Sequence, residues 1–159
     1  MLDLADFLRE RGLDAEIVDP GVPMPTVNAA AAAMGCAPER IFKSILFRGA
    51  SGACAMAVAC GAWRVDARAL AAVTGIDKLK LAPPDVVLAV TGYPAGGTPP
   101  IGHRERFPVV VDARVAAQEW GYAGGGREEL LVRIPSALIV RLNDAAVADV
   151  VKPAPAETA

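Results

Sequence analysis

Ile41-Phe42-Lys43-Ser44-Ile45-Leu46-Phe47-Arg48, then Gly49-Ala50-Ser51-Gly52, then Ala53-Cys54-Ala55-Met56-Ala57-Val58-Ala59 follow one another without a break. The first run is rich in branched and aromatic residues, the last is apolar, and the four residues between them are small and turn-forming, so the stretch reads as a β-hairpin. A hairpin places an antiparallel pair inside a chain whose other elements alternate irregularly. That excludes a regular βαβ array and predicts an α+β fold with a mixed, mostly antiparallel sheet and flanking helices. Strand alternation puts Ile41, Lys43, Ile45 and Phe47 on one face and Phe42, Ser44, Leu46 and Arg48 on the other. Lys43 is thus a cation among apolar neighbours. Its stem can lie along an edge strand with the ammonium in water, or it can stand at the floor or rim of a pocket.

Outward from the hairpin, Leu2 to Arg11 has helical spacing with Asp3 as N-cap and Gly12 as stop, and Ala15 to Asp19 reads as a short strand. Thr26 caps an alanine-rich helix that ends near Met34 and Gly35, small enough in its side chains to lie close on a sheet. Downstream, Asp66 caps a helix over 67–73, Leu79 to Ala82 is a strand, and Pro83 and Pro84 open a helix over 85–90. Pro108 to Asp112 is a buried strand and Ala113 to Glu119 a short helix. Gly121 to Gly126 reads as a flexible loop, Glu129 to Ile134 as a strand, Pro135 to Leu142 as a helical turn, and Ala148 to Val151 as a last strand. The expectation is one domain over 1–152 and a frayed tail over 153–159.

Thr91-Gly92-Tyr93-Pro94-Ala95-Gly96-Gly97-Thr98-Pro99-Pro100-Ile101-Gly102-His103 can be neither helix nor central strand, because glycine and proline alternate through it. It is expected to be an exposed, ordered loop that carries little of the core. Rigid glycine-proline backbone presents amides that can face an anion or a developing oxyanion; the plainer reading is a turn-rich connection.

Composition narrows the function. The 159 residues carry a formal net charge of −2, with local cation clusters at Arg40, Lys43 and Arg48, at Lys78 and Lys80, and at Arg104 and Arg106. Coating of duplex DNA is not expected, whereas a grip on a short piece of nucleic acid is. No apolar run is long enough to span a bilayer, and Asp3, Asp6 and Glu10 argue against a secretory signal, so the expected location is cytoplasmic. Cys36, Cys54 and Cys60 lack zinc or disulfide spacing, and a single histidine, His103, excludes multi-histidine metal sites. No metal or other cofactor is expected. Neither glycine stretch fits a phosphate-binding fingerprint. A pairing of Cys54 or Cys60 with His103 would make a cysteine-dependent esterase.

Taken together, Thr26 and its alanine-rich helix, Ile41-Phe42-Lys43-Ser44, Trp63-Arg64-Val65-Asp66, Leu81-Ala82, Thr91-Gly92-Tyr93, the Gly-x-x-x-Pro of Gly96 to Pro100, Ile101-Gly102-His103, Asp112, and Gly124 with Gly125 resemble the YbaK/ProX-type aminoacyl-tRNA deacylases. These are related to the editing domain of prolyl-tRNA synthetases. The resemblance implies an enzyme that hydrolyses the ester at the 3′ end of a mischarged tRNA, tRNA-Pro or similar carrying a small amino acid, with a synthetase as a further partner. It implies that Lys43 and Gly97 act catalytically, and that Thr26, Ser44, Gly96, Thr98, Pro99, Pro100, His103, Asp112, Ala123, Gly124 and Gly125 surround the substrate. Ala123 stands where a serine is common. The alternative is a non-catalytic tRNA- or synthetase-binding module of the same fold.

Overall fold

The computed structural model describes residues 1–153. It is a mixed α/β domain built on a five-stranded sheet, with two smaller antiparallel pieces beside it. The hairpin forms as expected: β2 (Phe42–Arg48) pairs antiparallel with β3 (Cys54–Cys60), from Phe42 opposite Cys60 to Arg48 opposite Cys54. Preceding it are α1 (Leu4–Arg11), β1 (Glu16–Val18), α2 (Val27–Met34) and a 3-10 turn, Pro38–Arg40. After it come β4 (Arg64–Val65), α3 (Ala67–Thr74), β5 (Lys80–Leu81), α4 (Pro84–Thr91), a 3-10 turn Ala95–Gly97, and β6 (Val109–Asp112). The chain continues through α5 (Ala113–Ala116), β7 (Trp120–Gly124), β8 (Leu131–Pro135), α6 (Ser136–Asn143), β9 (Ala146–Ala148) and β10 (Val151–Lys152).

The main sheet has the order β5-β2-β3-β6-β9. β3 is central and parallel to β6, and β6 is parallel to β9. Its sequence explains its position: Ala55 and Ala57 face a core with Leu70, Phe47 and Val110, while Met56, Val58 and Cys60 face the larger core with Leu4, Phe42, Tyr93 and Ile101. Both faces of the sheet are covered, and small residues on one let α3 approach closely. A second sheet, β1-β8-β7, is antiparallel and touches the first through a parallel bridge between Ile41 and Tyr122. The helix caps follow the sequence, with Asp3, Thr26 and Asp66 accepting amides of the first turn.

Three expectations change. Gly121 to Gly126 is no flexible loop, since Trp120–Gly124 is a paired strand. Glycine is needed there for close approach: a Cβ on Gly121 would stand 2.3 Å from Cζ of Phe42, and one on Gly124 2.3 Å from the Thr98 carbonyl oxygen. The helix after Asp112 stops at Ala116, because the chain must turn to start β7. The helical start expected from Pro135 to Leu142 is a full helix, Ser136–Asn143. The last strand splits into β9 and β10 around Val150, whose amide donates to Asp112 Oδ1 at 3.1 Å. Pro153 lies outside regular structure, and the rest of the expected tail is outside the described residues. Among the described residues no helix is long and apolar enough to cross a membrane.

Candidate functional site

The site follows from an interruption in the edge of β2. Gly61 N–H donates to the Ile41 carbonyl at 3.0 Å and Gly49 N–H to the Ala53 carbonyl at 2.8 Å, one pair at each end of the β2–β3 ladder. In an antiparallel pair bonding alternates, so odd-numbered residues of β2 bond to β3 and even-numbered ones turn N–H and C=O to the other edge. There the Leu46 carbonyl is taken by Ala82 N–H at 3.0 Å. β5 pairs only Phe47 and Arg48, and the bridge to β7 lies at Ile41. Ser44 therefore has no strand beside it, and the backbone of β2 is open between the points where its two neighbours diverge. The Ser44 hydroxyl is also buried without a hydrogen-bond partner.

A cavity of about 240 Å³ fills this gap. Ile41 to Ile45 form one wall, Met24 to Val27 with Ala30 another, Ala95, Gly96 and Thr98 a third, and Gly124, Glu128, Leu130 and Leu131 the last. It unites Thr26, Lys43, Ser44, Gly96, Thr98 and Gly124. Lys43 lines it at the open edge of β2, and burial holds its ammonium below the ordinary lysine pKa, with the nearby positive Arg64 acting in the same direction. Its place in the lining supports the reading of a cation at a pocket wall.

The loop is less exposed than expected. Tyr93, Thr98 and Ile101 are buried, and so are Gly97, Pro99 and Pro100. His103 Nε2–H donates to the Pro99 carbonyl at 2.8 Å and Asn143 Nδ2 to the Pro100 carbonyl at 2.8 Å, fixing both prolines from behind. Gly97 N–H donates to the Pro94 carbonyl, and its own carbonyl accepts Gly126 N–H at 2.8 Å. Gly97 is thus a structural joint: a Cβ there would meet the Arg127 carbonyl carbon at 2.4 Å, so the loop cannot take a larger side chain without moving the β7–β8 turn. The loop amides without a backbone acceptor belong to its neighbours, both of which line the cavity. Gly96 N–H starts a 3-10 turn and has no acceptor within it, and Thr98 N–H makes no capping bond to that turn.

The remaining sequence candidates lie away from the cavity surface. Asp112 is fully buried and accepts the amides of Arg114 and Val150, tying β6 to the segment before β10. Ala123 packs in the large core, and Gly125 N–H donates to the Leu130 carbonyl to close the β7–β8 turn. His103 lines a separate cleft with Phe7, Arg11 and Phe107. No cysteine lines that cleft or the Lys43 cavity. Burial pushes the Cys60 thiol up to about 11 and also raises Cys36 and Cys54, which works against thiolate chemistry. The sequence reading missed Glu128, for Arg127-Glu128-Glu129 carries no pattern beyond a solvated charge run. It also missed Met24, Leu130 and Leu131, whose part in the cavity depends on long-range packing.

An open strand edge with a half-buried lysine thus shares one cavity with a clamped glycine-proline loop, a chemistry suited to an anionic or ester-bearing ligand. The aminoacyl-tRNA editing domain family matches residues 22–142, and the chain belongs to it. The YbaK-type resemblance read from the sequence points to the same family. Among solved structures, the hypothetical protein APE2540 is 30% identical, with a TM-score of 0.85 over 94% of this chain and 99% of its own. A candidate trans-editing enzyme for prolyl-tRNA synthetase is also 30% identical, with a TM-score of 0.81 over 91% of this chain and 92% of its own. Aminoacyl-tRNA editing is accordingly the general function of the family to which this fold and site belong.

Proposed function

We propose that this protein is a trans-editing deacylase that hydrolyses the ester of a mischarged tRNA carrying a small amino acid, tRNA-Pro or a similar acceptor, with a synthetase as a further partner. The observation that carries the reading is the cavity at the open edge of β2, with Lys43 on one side and the Gly96 and Thr98 backbone on the other. Its volume of about 240 Å³ lies below the roughly 300–1,000 Å³ of most small-molecule pockets, which favours a small acyl group with only part of the terminal nucleotide enclosed.

In this mechanism the Lys43 ammonium holds the terminal nucleotide by a charge-assisted hydrogen bond. Water adds to the acyl carbon, and the developing oxyanion is met by the amides beside Gly97, already oriented by the clamped loop. The ester C–O bond then breaks, and the proton lost by water passes to the ribose oxygen, giving free amino acid and tRNA. A neighbouring ribose hydroxyl or the substrate's amino group orients the water. Thr26 and Ser44 contribute by shaping the wall, since the Thr26 hydroxyl already caps α2 at 3.0 Å from the Ala29 amide.

The test is release of amino acid from a panel of mischarged tRNAs by wild type and Lys43→Ala at equal folded concentration. Lys43→Ala is expected to lose about 2–4 kcal/mol of transition-state stabilisation, roughly thirtyfold to a thousandfold in turnover. Its folding free energy should shift by less than about 1 kcal/mol, because the lost ammonium also carried a desolvation cost. Lys43→Arg should also be poor, since a planar guanidinium does not replace a compact ammonium. Equal rates would remove Lys43 from the mechanism. No release by wild type across the panel would favour a module that binds tRNA or a synthetase without hydrolysis.

A further inference from the structure

The cavity is lined by one cation and one anion, Lys43 and Glu128. They do not neutralise each other: no ion pair within 4.0 Å joins them among the described residues. Glu128's own neighbours, Arg127 and Glu129, pair together at 3.7 Å and leave it free. Its carboxylate lies against the loop, so that a Cβ built on Gly96 would stand 3.0 Å from Glu128 Oε1. Nor is its position an accident of a loose turn. Gly125 N–H donates to Leu130, Leu130 N–H to Arg127, and Gly126 N–H to the Gly97 carbonyl, so the turn that carries Glu128 is bonded internally and to the loop.

Unpaired opposite charges on two walls of one small cavity are complementary to a ligand that carries both signs. An aminoacyl nucleotide is such a ligand, with an α-ammonium at one end and a phosphate at the other. Lys43 suits the nucleotide, which leaves the carboxylate beside Gly96 for the ammonium, two bonds from the reacting carbonyl carbon. We propose that Glu128 is a specificity-determining residue that receives the free α-ammonium of the esterified amino acid, so that the site takes aminoacyl esters and rejects those whose amino group is acylated. The inference rests on the deacylase reading for the identity of the ligand and on the charge pattern for Glu128's part.

The experiment is binding, which is independent of turnover. An amide-linked analogue of 3′-aminoacyl-adenosine 5′-phosphate, with a small amino acid, is titrated by calorimetry into wild type, Glu128→Gln and Lys43→Ala, and so is its N-acetyl form. Wild type should bind the free amine about tenfold more tightly than the acetylated form, the scale of one charged hydrogen bond. Glu128→Gln should lose that preference and bind the acetylated form as wild type does. Lys43→Ala should weaken both forms and keep the preference. A preference that survives in Glu128→Gln, or its absence in wild type, would overturn the assignment. Equal weakening of both forms by Glu128→Gln would also overturn it, for that is the mark of a structural part. Amine-dependent binding without hydrolysis would leave Glu128's assignment standing and remove the deacylase reading.

Discussion

The stretches 91–103 and 121–126 are alike in composition, both dense in glycine, and opposite in structure. The first is a loop with a 3-10 turn, held by side chains, His103 at its own end and Asn143 from α6. The second is mostly a strand, held by its own ladder with β8. They meet backbone to backbone, through the Gly126–Gly97 hydrogen bond and the contact of Gly124 with the Thr98 carbonyl. In neither is glycine chiefly a source of flexibility. It is what lets two chain segments approach closely enough to share one wall of the cavity.

The largest expected effect breaks that contact. Gly124→Ala puts a methyl 2.3 Å from the Thr98 carbonyl oxygen and 2.8 Å from its carbon. Backbone on both sides cannot yield as a side-chain tip can. The variant should lose about 1–3 kcal/mol of stability, the usual cost of overpacking, together with most deacylation. Urea unfolding and amino-acid release measure the two. Gly97→Val should fare no better, because Gly97 is buried against Arg127. Unchanged stability in Gly124→Ala would mean that the two stretches are not tightly mated.

A smaller effect separates how the two are held. The loop's clamp titrates, whereas the strand's ladder does not. Burial lowers the His103 pKa from its ordinary value, against the opposing effect of its bond to Pro99. The unfolded ring gains a proton below about 6.5 and the folded ring resists it. His103's contribution to stability is therefore complete above that pH and is lost as pH falls from there through the folded value. His103→Gln should cost about 0.5–1.5 kcal/mol at pH 7.5, one hydrogen bond's worth, and less at pH 5. His103 is the only histidine, so the difference between wild-type and variant unfolding curves isolates this clamp. A gap that widens toward pH 5 would contradict the assignment.

The contrast also shows what could be read from the sequence. The hairpin and the caps at Asp3, Thr26 and Asp66 were legible, because each depends on local pattern: alternation, a capping side chain, a turn. The strand at Trp120–Gly124 was not, since its glycines follow from what lies opposite, Phe42 and Thr98, and no window of sequence contains both. Glu128 was hidden for the same reason. Gly97 drew attention as an amide donor because it is a glycine, yet the 3-10 turn consumes its N–H and leaves the unbonded amides to Gly96 and Thr98.

The smallest effect sharpens the comparison at one position of the loop. Gly96 is exposed, its φ is not in the left-handed region, and the three atoms nearest a Cβ there all belong to the Glu128 side chain, the first at 3.0 Å. That carboxylate is the far end of a flexible, exposed chain and can swing away. Gly96→Ala should therefore do the reverse of Gly124→Ala: stability should hold or rise by about 0.4–1 kcal/mol, since alanine restricts the unfolded chain where the native backbone already suits it. Activity should nonetheless fall, because the methyl displaces Glu128 from the mouth of the cavity, and the fall should be confined to substrates with a free amino group. Melting temperature and the ratio of free to N-acetylated ester hydrolysis read the two consequences separately. A Gly96→Ala protein as unstable as Gly124→Ala would show that close backbone mating extends through the whole turn. A stable one that hydrolyses both esters as wild type does would show that the loop meets the β7–β8 turn at Gly97 and Thr98, with nothing of consequence at Gly96.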